Sequence, residues 1–473
     1  SSSASIMWAV AFAVLAAPCV DVREFGAIAG RARPGPGPYW RQNTAAIQNA
    51  LIQGAAERNC VLVSEGEYMI SSLTVPSNTH LILAHGGALV AAVNTSTAPV
   101  IHVLNSSNVT IEGSGQINGA AEDYIASYDP VDDRFQPSAP DGSRPRLVKL
   151  ERSQRVAIRG VEIQNASDWH LHIQGCSAVL VDSVTIRGDS RFPNNDGVDP
   201  DSSQDVTIAN SVIDVADDGV CPKATAGYGP VRNLLVQNCT IRSKSHAIKF
   251  GTNTDTEMSN ITFDNITILD SNGGMSIQAR SGGRITDVTW SNVRFETRYE
   301  APRWWGNADW LSITNDIRNP GDTPAQISNI RLVNISGRTE NGGVISGRGH
   351  VVTNVSLHNV QVTIGAWSNY STGAGPTCRE SGTGVEVDCR GSRDYRPSLA
   401  DGQLCGHYCR TAGQANVLFL ENVSGIDISD STFAFASAAT KSWWGSCVAI
   451  GANVRGLDRR GLDCVNGTHA VVV

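Results

Sequence analysis

The chain has 473 residues, with 37 Lys and Arg against 45 Asp and Glu, and therefore a formal net charge of −8 at pH 7. This length allows a large hydrophobic core, arranged either as two or three ordinary domains or as one elongated repeat architecture. The negative charge argues against a nucleic-acid partner, because such affinity comes mostly from Lys and Arg that neutralise phosphates. The longest nearly continuous apolar stretch, residues 6–17, is shorter than the roughly 20 residues of a membrane-spanning helix. We therefore expect no membrane partner either.

The apolar stretch at the amino end has the character of a secretory signal. It runs through small residues into Pro18 and Cys19, as a cleavage region does, although no Lys or Arg precedes it. We expect residues 1–18 to be a signal peptide or a disordered start, and the protein to be secreted into the extracellular space. The alternative is that this stretch forms a buried first strand.

Eleven cysteines and twelve N-x-Ser/Thr sequons fit an exported glycoprotein. The spacing Cys405-x3-Cys409 could suggest zinc, but it lacks a second ligand pair, so we predict disulfides that close long loops and no metal site. If Cys19 is retained, the odd total leaves at least one thiol free.

A short pattern, apolar-x-small polar-apolar, recurs along most of the chain. Its third position falls on residues 160, 183, 210, 238, 265, 292, 334 and 359, at steps of 23, 27, 28, 27, 27, 42 and 25. Each unit has the composition of two short strands joined by a residue that tolerates a left-handed backbone. One unit cannot bury its apolar face alone, so the units must stack. We predict an all-β fold, a single-stranded right-handed parallel β-helix, in which residues 19–473 form one domain.

Two insertions are expected to interrupt the coils. The 42-residue step predicts an inserted loop near residues 296–326 that carries Trp304, Trp305 and Trp310. The cysteine-rich residues 366–415 are interpreted as a second inserted loop or small subdomain.

One helix is predicted, near the amino end. The sequence NTAAIQNAL places Ala46, Ile47, Ala50 and Leu51 on one face of a helix. Such a helix would cap the first coil, which otherwise exposes unpaired strand edges and an apolar interior.

The coil pattern also affects the interpretation of the sequons. An Asn at the turn of successive coils can form an amide ladder inside the stack, which disfavours glycosylation of Asn238, Asn265 and Asn334. Better candidates for glycans lie outside the pattern, at Asn94, Asn369 and Asn466.

Three polar motifs are separated by about one coil each. Asp196 lies in NNDGVD, Asp217 and Asp218 lie in ADDG, and His246 lies in SHAIKFG. In a β-helix this spacing places the side chains above one another on one face. Like charges in such a cluster make one carboxyl keep its proton, as acid-assisted cleavage of a glycosidic bond requires. Inverting enzymes hold the acid and the base roughly 6.5–9.5 Å apart to leave room for a water. The alternative, that each Asp only caps a turn, is disfavoured by three motifs in coil register.

Together with VDVREFGA and NTAAIQNAL near the amino end, and NASDWHLH before the first motif, these motifs resemble glycoside hydrolase family 28, the polygalacturonase group. The resemblance covers residues 20–300, and the coil pattern extends it to about residue 435. It implies hydrolysis with inversion, without a metal or another cofactor.

The resemblance also implies roles for individual residues at the matching positions. Asp217 would be the general acid, and Asp196 and Asp218 would together activate the attacking water. His246 would tune the acid and hold the hydrogen bonds of the site. Asn194, in the first motif, is expected to bind the substrate.

The chain departs from the family where an Arg-Ile-Lys in the next coil holds a galacturonate carboxylate. Ser276, Ile277 and Gln278 stand there instead. The expected replacements are Lys223, Lys249 and Arg280, since a cation, and best of all an Arg, suits a sugar carboxylate. Each of the three could equally be a solvated surface charge.

Trp304 and Trp305 are expected to stack on sugar rings if the loop that carries them overhangs the cleft. The alternative is that they form a hydrophobic plug that ties the loop down.

These observations predict a secreted monomer that hydrolyses an acidic, pectin-like polysaccharide. One alternative is a polysaccharide lyase, in which Asp196, Asp199, Asp217 and Asp218 hold Ca²⁺ and a Lys or Arg removes a sugar proton. The other is a non-catalytic β-helix that binds glycans, which the loss of the Arg and Lys would allow.

Overall fold

The protein is described here from a computed structural model. The structure describes residues 19–30, 37–130, 132–300, 304–317, 321–365, 367–368, 378–381, 386–389, 416–436 and 446–472. The predicted signal segment, most of the predicted loop near 366–415 and the sequon at Asn369 lie outside the described residues. No helix among the described residues is both long and apolar enough to cross a membrane.

The described residues form one α-helix, two short 3-10 helices and 38 strands. The helix α1 is Trp40–Glu57, and the 3-10 helices are Val22–Phe25 and Ala121–Tyr124. Strands β1 to β11 are Val20–Asp21, Cys60–Val63, Gly66–Ile70, Leu73–Thr74, His80–Leu83, Gly87–Ala91, Ile101–Leu104, Ser107–Gly113, Gln116–Asn118, Ile125–Asp129 and Arg134–Pro137. Strands β12 to β24 are Val148–Glu151, Gln154–Arg159, Glu162–Gln164, Leu171–Gln174, Ser177–Asp182, Thr185–Arg187, Val198–Asp201, Gln204–Ala209, Val212–Val215, Val231–Ser243, His246–Thr252, Glu257–Ser271 and Gly273–Ala279. Strands β25 to β38 are Arg284–Thr297, Asp309–Thr314, Gln326–Thr339, Gly343–Ser346, Val352–Ile364, Cys378–Ser381, Glu386–Cys389, Leu418–Glu421, Val423–Ser429, Ser431–Phe435, Ser446–Ile450, Val454–Asp458, Leu462–Val465 and Thr468–Val472.

Successive coils pair in parallel along the molecule. For example, β16 pairs with β13 on one side and β19 on the other, with Val181 in register with both Ile158 and Ile208. The strand pairs of the described residues are parallel except for two hairpins, β10–β11 and β30–β31. The prediction of a parallel β-helix is therefore confirmed.

One face of the β-helix, which we call the cleft sheet, carries the polar motifs. Its first part is β4-β7-β12-β15-β18 and its second part is β22-β24-β26-β28-β32-β35-β38. Val220 joins the two parts through isolated bridges to Val198 and Ile248. The coil of the Asp217–Asp218 pair thus contributes only a short bridged segment to this sheet.

The interior is a continuous apolar core. Val198, Val220, Ile248, Met275 and Leu311 occupy register positions of successive coils of the cleft sheet, and all are fully buried. Alternation along a strand sends every second side chain to the opposite face. The core therefore fixes which side chains of the cleft sheet face outward.

Helix α1 confirms the predicted cap. Ala46, Ile47, Ala50 and Leu51 are buried as the pattern predicts, and the helix packs on β2, β3 and β4. Gly54 allows the last turn to approach the first coil, because a Cβ at this position would lie 2.5 Å from Val61 Cγ2. The cap covers apolar surface that no preceding coil would bury.

The predicted insertion near 296–326 is not a single loop. Its middle is β26, which pairs with β24 and β28 as a rung of the cleft sheet. Trp310 lies in β26, is fully buried, and stacks on Phe295 with ring centroids 5.9 Å apart. The prediction that Trp310 belongs to a loop is therefore wrong, because its indole fills the interior of the coil.

The asparagine ladder exists, but on the outside of the molecule. Asn238, Asn265, Asn292, Asn334 and Asn359 all have a left-handed backbone, with φ between 52° and 56°. Asn265 donates to Asn238 Oδ1 at 2.9 Å, and Asn359 donates to Asn334 Oδ1 at 3.0 Å. These pairs are exposed, so the prediction of a ladder inside the stack is wrong in its location. An Asn with a left-handed backbone at the turn points its side chain outward. There the side-chain amides of successive coils still align with one another.

Two disulfides support the predicted cross-linking. Cys19 bonds to Cys60 at the amino end, and Cys447 bonds to Cys464 near the carboxyl end. Three buried cysteines of the described chain, Cys176, Cys221 and Cys239, remain thiols.

Candidate active site

Three aspartates converge at the outer surface of the cleft sheet. One carboxylate oxygen each of Asp196, Asp217 and Asp218 lies within 4.8 Å of the others. All three residues are buried, with 3%, 6% and 2% of their surface exposed. The predicted meeting of these three carboxyls is therefore observed.

The loop before Asp217 is held by a residue to which the sequence analysis gave no role. Asn195 is fully buried, and its Oδ1 accepts hydrogen bonds from the N–H groups of Ala216 at 2.8 Å and Asp217 at 3.2 Å. Its Nδ2 donates to Asp189 O at 3.0 Å. Asn195 therefore fixes the position of the ADDG motif relative to the NNDG motif. The second Asn of NNDG was the sequence signal for this role.

Asp218 is surrounded by donors and cations. Ser245 Oγ donates to Asp218 Oδ1 at 2.6 Å, and Lys249 Nζ forms an ion pair with Asp218 Oδ2 at 2.9 Å. The N–H of Asp218 itself donates to Asp217 Oδ1 at 2.9 Å. The two neighbouring carboxyls therefore differ in environment, because the strong cationic contact goes to Asp218.

This difference separates their proton affinities. Burial and the charge of Asp218 raise the pKa of Asp217 to about 7. Burial would also raise the pKa of Asp218, but Lys249, Lys223 and His246 outweigh it and lower that pKa to about 2. Burial, Asp217 and Asp199 raise the pKa of Asp196 well above its usual range. A site in which Asp196 and Asp217 tend to hold protons beside the fixed charge of Asp218 has the groups for acid–base chemistry.

Lys223 is the central cation of the cluster. Its Nζ lies 3.1 Å from Asp199 Oδ1, 3.8 Å from Asp196 Oδ2 and 3.0 Å from Cys221 Sγ. It is also 4.6 Å from the centroid of the Trp169 ring. Lys223 and Lys249 therefore compensate the buried carboxylates, which is a different use from the predicted contact with substrate.

His246 faces an aspartate from two coils away. Its Nε2 lies 3.7 Å from Asp309 Oδ2, and both side chains are buried. Gly273 lies between them in the register, and a Cβ there would be 2.3 Å from His246 Cδ2. The absent side chain thus leaves room for the imidazole to lean toward Asp309. Asp309 was not predicted from the sequence, because its strand lies inside the 42-residue coil, where the period is lost.

Two other predicted substrate contacts have protein partners. Arg280 is 4% exposed, and its Nη1 lies 3.5 Å from Asp316 Oδ2. Asn194 is partly exposed, and its Oδ1 accepts from Arg144 Nη2 at 3.2 Å. Of the two, only Asn194 keeps an exposed surface near the aspartates.

Trp304 forms a plug beside the site. It is fully buried, packs against Ala216, and donates from Nε1 to Asp132 O at 2.8 Å. Its indole presents no face to a ligand, so the predicted stacking of Trp304 on a sugar is wrong in this structure. Trp305 is only half-buried, with its ring 4.5 Å from the Arg134 guanidinium carbon, and stays a predicted contact.

The fold and this site together define a class of protein. A parallel β-helix that holds three carboxyl oxygens within 4.8 Å of one another, with their pKa values shifted in opposite directions, has the groups that hydrolyse glycosidic bonds. The family model described as "Glycosyl hydrolases family 28" matches residues 60–379, more than half of the chain. The chain therefore belongs to this family and is a glycoside hydrolase, as the motifs predicted.

Individual relatives are similar at moderate identity. The endo-polygalacturonase of Pectobacterium carotovorum subsp. carotovorum is 25% identical over 307 residues, which are 57% of this chain and 76% of the relative. A probable polygalacturonase of Vitis vinifera is 24% identical over 387 residues, covering 72% of this chain and 77% of the relative. The structure of the family 28 exopolygalacturonase of Yersinia enterocolitica matches with a TM-score of 0.62 at 17% identity, over 92% of this chain and 78% of that one. At this identity the structural match shows the shared fold.

Proposed function

We propose that the protein hydrolyses glycosidic bonds of an acidic, pectin-like polysaccharide outside the cell, as a monomer without a nucleic-acid or membrane partner. The polygalacturonases among its relatives favour this substrate class. The amino-terminal apolar stretch favours secretion.

The observation that carries the proposal is the opposite state of two adjacent carboxyls. Asp217 holds its proton up to about pH 7, whereas Asp218 is ionised down to about pH 2. The pKa values of Asp217 and Asp196 are both raised, and we assign Asp217 as the general acid that protonates the leaving oxygen because it stands at the family's acid position. Asp218 supplies the negative charge that orients and activates the water, and Asp196 helps to hold that water.

His246 completes the site. It lies beside Asp218 and contributes to the low pKa of that carboxyl. In the proposed mechanism it keeps Asp218 ionised while Asp217 gives up its proton.

The distance between the carboxyls does not by itself predict the stereochemistry. The 4.8 Å limit on the nearest oxygens is shorter than the roughly 6.5–9.5 Å usual for inverting glycosidases. Inversion is proposed from the family resemblance, with one water held by Asp196 and Asp218 together. Proton NMR of the first product should show the anomer opposite to the substrate bond, and retention of configuration would refute this part.

The main test replaces the acid. Asp217→Asn keeps the shape of the side chain and removes its proton, so hydrolysis of pectic polymers should fall by at least about 10³-fold. Reducing ends released from polygalacturonan, esterified pectin and rhamnogalacturonan measure the loss. The matched control is Asp463→Asn, an exposed residue of β37, which should match the wild type. Wild-type rates in Asp217→Asn would overturn the proposal.

The lyase alternative has less support from the geometry. Asp199 and Asp218, two of the four residues that would hold Ca²⁺, are paired with Lys223 and Lys249 at 3.1 and 2.9 Å. A lyase would also yield an unsaturated product that absorbs ultraviolet light. We expect no such product, and no loss of rate with a chelator.

A further inference from the structure

A second concave surface lies outside the cleft sheet. Strands β23, β25, β27 and β29 belong to the large sheet of the molecule, and each contains one Asn of the exposed ladder. A groove of about 500 Å³ follows these asparagines across the four strands. We call it the ladder groove, and its lining includes Asn265, Asn292, Arg294, Asn334 and Asn359.

The asparagines repeat one set of hydrogen-bonding groups along the ladder groove. Each donates one Nδ2 N–H within the protein, as Asn334 does to Asn292 Oδ1 at 3.0 Å and Asn292 to Asp264 Oδ1 at 2.7 Å. A primary amide has two N–H donors and two acceptor sites. Each asparagine therefore keeps an N–H and an acceptor site for a ligand, once per strand at a spacing of about 4.8 Å.

This row suits an extended carbohydrate chain. A sugar hydroxyl donates and accepts hydrogen bonds, as each amide does. The four strands span about 14 Å, so a linear polymer that lies across them meets the same groups repeatedly. The two apolar residues of the described lining, Ile266 and Ile335, belong to the core and are 1% and 0% exposed. The groove therefore offers no exposed apolar anchor for a peptide or a lipid.

The ladder groove also carries an uncommitted positive charge. Arg294 is exposed and in register with Thr267 and Ser336, which line the groove as well. Its guanidinium forms no ion pair or hydrogen bond with the residues that the structure describes. No Asp or Glu occurs in the described lining, in a chain whose net charge is −8. A guanidinium can hold a sugar carboxylate through two parallel hydrogen bonds.

A neighbouring groove on the same sheet has a different charge balance. Its volume is about 360 Å³, and Arg331 lines it together with Asp427 and Asp458. Arg331 is also exposed, and its side chain has no partner in the described part of the chain. Because the two carboxylates would repel an anionic polymer, Arg331 is a matched control for Arg294.

We propose that the ladder groove is a second, non-catalytic site that binds a strand of an acidic, uronate-containing polysaccharide. Arg294 holds a carboxylate, and the ladder amides hold the hydroxyls of neighbouring units. The inference rests on the proposed function for the identity of the polymer. Such a site keeps a long polymer on the enzyme between cuts, because the second contact is intramolecular.

Binding to the inactive Asp217→Asn protein tests the groove without turnover. Asn265 and Asn334 begin sequons, so the protein is made in a bacterial host to keep the groove free of glycans. Co-sedimentation with cross-linked polygalacturonate particles at a fixed salt concentration measures the affinity. Particles of a neutral galactan should bind at least about 10-fold more weakly. Equal binding of the two polymers would overturn the inference.

Charge variants in the same background locate the contact. Arg294→Glu should weaken binding to polygalacturonate at least about 10-fold, and Arg294→Lys less than about 3-fold. Arg331→Glu makes the same change of charge in the acidic groove and should weaken binding less than about 2-fold. Thermal unfolding checks that each variant is folded. Equal losses in the two Glu variants, or no loss in Arg294→Glu, would overturn the inference.

The length of the substrate separates the ladder groove from the cleft. In the otherwise wild-type enzyme, Arg294→Glu should lower kcat/KM on polymeric polygalacturonate about 5-fold, mainly through KM. It should leave kcat/KM on a trisaccharide within about 2-fold, because so short a chain cannot occupy both sites. An equal loss on both substrates would place the effect in the cleft and overturn the inference.

The two proposals can fail separately. If the wild type cuts none of the polymers but Arg294→Glu alone loses binding to the particles, the hydrolase proposal fails and the ladder groove stands. If the wild type cuts pectic polymers, and Arg294→Glu binds and cuts them equally well, the ladder groove fails and the hydrolase stands.

Discussion

In the proposed mechanism, the proton on Asp217 sets an upper pH limit for the activity. Because the pKa of this carboxyl is raised to about 7, the acid form is present below that pH and is lost as the pH rises through it. Asp218, with a pKa of about 2, stays ionised over the same range. We expect kcat/KM to decline above about pH 7. Initial rates between pH 4 and 9 measure this, and a decline already complete at pH 5 would contradict it.

The same carboxyl should weaken the fold at high pH. Its folded-state pKa, about 7, exceeds the ordinary value of 3.8, so the folded state binds more protons between these values. Stability therefore falls as the pH rises through this window. Asp217→Asn removes this titrating group. We expect the free energy of unfolding of the variant to exceed that of the wild type by about 2–4 kcal/mol at pH 8. Denaturant unfolding at pH 4 and pH 8 provides the comparison, and an equal difference at both values would contradict it.

Asp309 is expected to act through His246. Asp309→Asn removes the negative charge 3.7 Å from Nε2 of the imidazole, while the side-chain volume stays nearly the same. We expect kcat to fall about 10-fold with little change in KM, because the imidazole beside Asp218 loses the side chain that orients it. A role in binding the substrate would raise KM instead. The control is again Asp463→Asn.

Spacing predicted which carboxyls meet, but not what surrounds them. The meeting of Asp196, Asp217 and Asp218 follows from the register of the coils, which is a property of the backbone. The pairing of Lys249 with Asp218 depends on how far a flexible side chain reaches between coils, and the sequence does not contain that distance. The burial of Trp304 likewise depends on the β10–β11 hairpin, about 170 residues earlier in the chain.

At the scale of elements, the capping helix offers a matched pair of substitutions. Leu51 is fully buried in α1, whereas the next residue, Ile52, is 54% exposed. Leu51→Ala should cost about 2–5 kcal/mol through lost burial and a cavity over the first coil. Ile52→Ala should change stability by less than about 1 kcal/mol. Urea unfolding of both variants decides this, and equal losses would show that α1 does not cap the core.

The elements were predictable where one periodicity applies throughout. The face of α1 and the rungs with steps near 27 residues were found because apolar positions recur regularly. Strand β26 was not found from the sequence. In the 42-residue coil, long segments without this period separate the strands. The outward ladder of Asn265 and its neighbours was misplaced since sequence gives the turn but not its direction.

At the scale of the whole molecule, charge affects encounter with the substrate. The chain carries −8, and the proposed substrate is a polyanion, so the two repel at low ionic strength. The screening length falls from about 30 Å at 0.01 M salt to about 8 Å at 0.15 M. We expect kcat/KM on polymeric pectin to rise several-fold between these concentrations. A steady fall would point to attraction through a local basic surface.

The stacked coils divide the polar side chains of the cleft sheet between different rungs. Asp217 and Asp218 belong to the coil bridged at Val220, whereas Gln278 and Thr314 belong to β24 and β26. Each rung of a solenoid packs mainly on its immediate neighbours. Outward side chains such as Gln278 and Thr314 can therefore change without touching Asp217 and Asp218, whereas Gly273 of β24 and Asp309 of β26 are tied to His246 and cannot.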